Sequence, residues 1–145
     1  MKVVFKSILL LCIMFSLSMV ATSCKKYEEG PALSLRSKKA RVVNKWKAEK
    51  VTENGKDVTA DYKDITWEFK DDNKFVITVS GSGGLSITLN GTWEFNNDKT
   101  KIITILNGER TESEILRLKE KSLWVKQVET DAGVTTTIEI HLIPA

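Results

Sequence analysis

The sequence predicts an all-β domain: an antiparallel, up-and-down, eight-stranded barrel with a short helix on its N-terminal side. Three observations carry this. From residue 45 onward apolar residues recur with a period of two, so each segment has one apolar and one polar face. The segments are short and are separated by Gly, Asn and Asp clusters, the chemistry of turns. No helical repeat lies between them, so consecutive strands pair with one another. A sheet with one apolar face hides that face, and loses both edges, by closing into a barrel.

The chain begins with something else. Lys2 and Lys6 precede an uncharged apolar run of 13 residues, 8–20. At ~1.5 Å per helical residue this is too short for a hydrocarbon core of ~30 Å. A basic front, a short apolar run and small residues at its exit describe a secretory signal, residues 1–23. The stretch Val20-Ala21-Thr22-Ser23-Cys24 resembles the lipobox of bacterial lipoproteins, with Ala21 where leucine is usual. The resemblance implies a diacylglycerol thioether on the Cys24 sulfur, cleavage before it and acylation of the new amino terminus. Two or three acyl chains make a durable anchor where one does not. The expected location is the outer membrane, lipid-anchored, on either its periplasmic or its surface face. Cys12 leaves with the signal, so the mature chain has no disulfide even though export permits one.

Residues 24–33 are polar, contain Gly30-Pro31 and read as a tether. The barrel domain takes residues 34–145. Within it, residues 34–44 predict a short helix with Ser34 as its N-cap, and with Leu35 and Val42 on a narrow apolar stripe beside a basic face. Charge is uneven: residues 25–50 hold nine Lys/Arg against three Glu, and residues 51–145 hold eleven Lys/Arg against sixteen Asp/Glu. The near-neutral total of the mature chain argues against nucleic acid as a partner.

The strands follow in order. The first lies around 46–52 and carries Trp46. Ile65, Trp67 and Phe69 then alternate with Thr66 and Glu68, and Phe75, Ile77 and Val79 alternate with Val76 and Thr78. Leu85, Ile87 and Leu89 share a parity with Trp93 and Phe95 across Asn90-Gly91. That continuity predicts one long strand bent at Gly91 instead of a hairpin. Segments 101–106, 112–118, 123–128 and 134–142 complete the eight. They add Leu116, Leu118, Leu123, Val125, Ile138, Ile140 and Leu142 to the inward set. The opposite parity leaves Ile102, Leu106, Trp124, Val128 and Ile143 facing outward, where the Leu35 and Val42 stripe is expected to cover them.

Lys45-Trp46 opening the first strand, Gly91-Thr92-Trp93 at mid-chain, Ile115 to Leu118 followed by Leu123-Trp124-Val125, and the closing apolar strand resemble the bacterial lipocalin-like domain of lipoproteins. The resemblance spans residues 35–145. It implies an eight-stranded barrel with an N-terminal helix near one end. The chain departs from the animal lipocalins: it lacks their bridging cysteines, and Asn44-Lys45-Trp46 stands where they carry Gly-x-Trp. Retinoid or pheromone carriage therefore does not transfer.

Catalytic chemistry finds little to use. The single histidine, His141, lies on the polar side of the last strand with Glu139 and has no triad around it. Clustered Cys and His ligands for zinc are absent from the sequence, and Asp71-Asp72 and Asp98 sit in turns without the ligand spacing of a calcium loop. Gly81-Ser82-Gly83-Gly84 lacks the Lys-Ser/Thr ending of a phosphate loop and leads into a strand. No enzyme activity and no cofactor are expected.

The barrel interior remains. A ligand cavity, where present, is expected among Trp46, Trp67, Phe69, Phe75, Ile77, Ile87 and Trp93. The bulk of these side chains favours a filled interior over a cavity. No charged residue falls in the inward set, so the ligand of a cavity is expected to be apolar. Two functions follow: an anchored envelope lipoprotein whose barrel binds a small apolar ligand or lipid, or a filled-barrel accessory module that binds another envelope protein.

Overall fold

A computed structural model describes residues 35–145. The signal segment 1–23, Cys24, the tether 24–33 and Ser34 lie outside the described residues. The alternating segments form β1 (Asn44–Glu53), β2 (Lys56–Asp57), β3 (Ile65–Phe69), β4 (Lys74–Ser80), β5 (Ser86–Phe95), β6 (Lys101–Leu106), β7 (Glu109–Lys119), β8 (Ser122–Asp131) and β9 (Val134–Pro144). Neighbours pair antiparallel in the order β1-β3-β4-β5-β6-β7-β8-β9, and β9 returns to β1 along a seam from Trp46↔Pro144 to Glu53↔Ile138. The sheet is thus a closed eight-stranded barrel, and β2 is a two-residue strap on the end of β1. Asn107-Gly108 and Ala132-Gly133 turn their hairpins with both residues at positive φ, the mirror-image turn that matches strand twist. Asn54-Gly55 does the same between β1 and β2, a turn that the two-residue period does not announce.

Asn90-Gly91 continues one strand, as the parity predicts. Gly91 pairs with Phe75 on one side and Leu106 on the other. A Cβ there would stand 2.1 Å from the Ile105 carbonyl oxygen, so only glycine allows β6 to lie this close. Above Gly91, β5 leaves β6 and pairs with β4 alone. Leu85 and Ile87 are consequently exposed on an overhanging hairpin, although they share the inward parity.

Two assignments of face change. The register Phe95↔Ile102, Trp93↔Thr104 and Gly91↔Leu106 sets Ile102 and Leu106 inside, not outside. On β7 the register shifts between Ile115 and Arg117, so that Ile115 and Leu118 both face inward and Leu116 leaves the core. One extra residue in one strand reverses the alternation beyond it.

The N-terminal helix is α1 (Lys38–Val42), shorter than the expected 34–44. Its N-cap is Ser37, whose hydroxyl accepts from the Ala40 N–H at 3.1 Å, and not Ser34. Its role differs too. Val42 is fully buried in the barrel core, while Leu35 is fully exposed and covers nothing. Arg41 is buried and donates to the Leu118 carbonyl at 2.7 Å. The Val42 carbonyl accepts from Trp46 Nε1 at 2.9 Å. Lys39 reaches Asn73 Oδ1 in the β3–β4 turn at 2.8 Å, and Arg36 reaches Glu120 in the β7–β8 turn. The helix is a plug that closes one end of the barrel. Trp124, which it was expected to cover, is sandwiched outside the barrel. Its ring stacks on His141 at 3.8 Å, and the Arg117 guanidinium lies 3.5 Å from its centre.

Packing is concentrated at that closed end. Trp46, Trp93, Leu118, Leu123 and Ile102 are essentially inaccessible there. Phe69 meets Phe75 at 4.8 Å and the edge of Trp93 at 5.5 Å. Charge divides along the same axis. The closed-end segments 36–45, 70–74, 96–101 and 119–122 hold eleven basic and four acidic residues. The open-end segments 53–64, 107–110 and 129–133 hold three basic and seven acidic.

Candidate functional site: the barrel cavity

The interior is not filled. Above the packed aromatic floor lies a cavity of about 260 Å³. Two unlike walls enclose it. Trp67 and Phe69 of β3 with Phe75 and Ile77 of β4 form an aromatic and aliphatic wall. Tyr62 stacks against Trp67 (centroids 6.3 Å apart) and extends that wall toward the mouth. Tyr62 gets there because a 3-10 turn, Thr59–Tyr62, folds back over the end of β1. That turn is held by the Thr59 hydroxyl, which accepts from the Val51 N–H at 2.9 Å.

Across the barrel the second wall is polar. It is built from Thr104 of β6, Glu109, Thr111 and Ser113 of β7, and Gln127 and Glu129 of β8. The β7–β8 ladder ends at Glu114↔Lys126. Beyond it, Gln127 Nε2 donates to the Ser113 hydroxyl at 2.9 Å and joins the two strands. Leu123, Val125, Ile138, Ile140 and Leu142 close the remaining side. Among the described residues no three His, Cys, Asp or Glu side chains converge as a metal site would require. The arrangement can enclose a small molecule whose apolar body lies on β3 and β4 and whose polar end meets β7 and β8.

Of the sequence-predicted cavity residues, Trp67, Phe69, Phe75 and Ile77 line the cavity together. Trp46 and Trp93 do not line it. They pack beneath it, because the closed end needs bulk and both indole N–H groups find backbone acceptors there, Val42 and Lys70. Ile87 does not reach it either, being 64% exposed on the β4–β5 overhang. Cys24 lies outside the described residues. Two acids outside the sequence-predicted inward set, Glu109 and Glu129, also line the cavity, both solvent-exposed at its open end. Their signal was present: the inward parity Leu123, Val125 continues through Gln127 to Glu129.

Known proteins extend the geometry. The family model described as a lipocalin-like domain matches residues 42–125. A lipocalin-like protein from Bacteroides uniformis superimposes with a TM-score of 0.57 at 12% identity, over 72% of this chain and 99% of that one. An uncharacterized protein from Bacteroides eggerthii gives 0.54 at 12% identity, with the same coverage. Apocrustacyanin C1 gives 0.52 at 15% identity, over 73% of this chain and 62% of its own. No curated protein matches the sequence. The family match covers more than half of the chain, and the observed barrel is the fold it describes: the chain belongs to the lipocalin-like domain family.

Proposed function

We propose that this protein is a lipid-anchored envelope lipoprotein whose barrel binds a small, largely apolar ligand. The observation that carries the reading is the cavity of about 260 Å³ with its Trp67, Phe69, Phe75 and Ile77 wall. Its size lies just below the ~300 to ~1,000 Å³ of drug-sized ligand sites, so the ligand is small. Membership of a binding fold supports the same reading. The anchor rests on the lipobox-like stretch ending at Cys24. The chain enters the barrel through α1, at the basic closed end, so a tether from Cys24 brings basic residues toward anionic headgroups. Docking of another envelope protein is the second reading, and the exposed Leu85 and Ile87 of the β4–β5 overhang are what favour it.

The test of binding is a titration of the full chain with the apolar fluorophore N-phenyl-1-naphthylamine, repeated on Thr104→Phe. Thr104 points into the cavity from the middle of β6. Saturable binding that Thr104→Phe abolishes is the expected result. Absent binding, or binding that the substitution leaves intact, refutes the carrier reading. For the anchor, Cys24→Ser abolishes metabolic labelling by palmitate, and persistent labelling refutes it.

A further inference from the structure

The two cavity walls differ in charge as well as in polarity. On β7 the pleat sends Glu112 and Glu114 outward, and both are ion-paired there: Glu112 with Lys101 at 2.9 Å and with Arg110, Glu114 with Lys126 at 2.8 Å. The inward acids are treated differently. Glu109 and Glu129 line the cavity at its solvent-exposed open end, and among the described residues neither forms an ion pair. No Lys, Arg or His is among the lining residues. The Thr104, Thr111 and Ser113 hydroxyls and the Gln127 amide of this wall both donate and accept, so its sign is set by the two carboxylates.

From this we propose that the ligand of the cavity is a cationic amphiphile, with an ammonium head at Glu109 and Glu129 and an apolar tail against Trp67, Phe69 and Phe75. The inference rests on the cavity being a binding site, and it names the chemistry of what binds there. A carboxylate or phosphate head in the same place meets two carboxylates and no lining cation, and like charges repel. A neutral head makes hydrogen bonds but gains nothing from the two negative charges. An ammonium group supplies donors to the two carboxylates, and each such bond is charge-assisted. The stacked Tyr62 and Trp67 add aromatic faces on the opposite wall, and these also attract a cation. Access favours the same sign. The mouth is the acidic end of the barrel, seven acidic residues against three basic, so its field draws cations in and repels anions.

Three probes with a common tail separate the head from the body: octylammonium, octanol and octanoate. They are titrated calorimetrically at low salt into the full chain carrying Cys24→Ser. Octylammonium binds about tenfold tighter than octanol, as expected for partly screened charges at hydrogen-bonding distance, and octanoate binds weakest. The octylammonium advantage shrinks as salt is added. In the double variant Glu109→Gln, Glu129→Gln, octylammonium and octanol bind alike. Octanoate matching octylammonium, or an advantage that survives in the double variant, overturns the proposal. Equal binding of all three probes refutes the head-group assignment and leaves the cavity as a binding site. Binding of none refutes both.

Discussion

Replacing Gly91 with alanine is a sharp test of how the barrel is built, because local and tertiary effects have opposite signs there. In an ordinary strand, alanine in place of glycine stabilises by ~0.4–1 kcal/mol, since the unfolded chain loses freedom. At Gly91 the new Cβ meets the Ile105 carbonyl oxygen at 2.1 Å and the Leu106 side chain at 3.2 Å. Reaching ordinary contact at 3.4 Å moves β6 by about 1.3 Å (from 2.1 to 3.4 Å). The obstructing atom is backbone, so no rotamer relieves it. Gly91↔Leu106 is the last pair of the β5–β6 ladder, and the shift costs one or two hydrogen bonds at ~1 kcal/mol each. Overpacking adds ~1–3 kcal/mol. The net expectation is a loss of about 2–4 kcal/mol, or a fall in Tm of roughly 10 °C. Urea denaturation of Gly91→Ala beside the wild type measures it. Gly81→Ala serves as control, because its Cβ has ordinary 3.4 Å contact with Leu85. A neutral or stabilised Gly91→Ala refutes the close approach of β5 and β6. Since Leu106 also lines the cavity, the same variant is expected to weaken probe binding.

Three further outcomes are expected. Val42→Asp places an unpaired carboxylate in the sealed end of the core and lowers stability by several kcal/mol, while Leu35→Asp leaves thermal melting unchanged; equal effects would contradict the plug. Trp124→Ala removes the ring between Arg117 and His141 and lowers Tm by a few degrees with cavity binding retained, which melting curves with and without probe distinguish. Asp57, Asp72 and Glu112 are held below the usual carboxylate range, by hydrogen bonds from Thr59, from Lys74, and from Lys101 and Arg110 respectively. Folded-state values lower than unfolded ones mean that their stabilisation is complete above the ordinary range and is lost as pH falls through the depressed values. Denaturation midpoints therefore decline below about pH 4, and Asp57→Asn, Asp72→Asn, Glu112→Gln together flatten that decline.

The alternation was readable wherever one parity alone was apolar. Ile65, Trp67 and Phe69, then Phe75 and Ile77, assigned the inner faces of β3 and β4 without ambiguity. In Lys101–Leu106 both parities are apolar, so the inner set is decided only by the register with Trp93 and Phe95, a relation between distant segments. The bulge on β7 carries no glycine or proline to mark it, and Ile115-Leu116 offers two apolar candidates in a row. The cavity is legible only in part. Composition reports how much aromatic volume exists but not where along the axis it lies, and here Trp46 and Trp93 sit low and leave the upper half open. The polar wall continues the parity of Leu123 and Val125 to Gln127 and Glu129, but apolar patterning stops counting where the residues turn polar and so did not find it. Ser37 and Ser34 are both acceptable N-caps by residue type, so residue type alone does not choose between them.

The seam between β1 and β9 has a consequence for the order of assembly. The first and last strands of the domain are hydrogen-bonded neighbours, so the barrel cannot exist until its final residues have emerged. Every partial chain presents two raw strand edges, and the contacts that remove them are the most distant in sequence, which makes closure slow. Losing Val134–Pro144 would leave β1 and β8 as open templates for other chains.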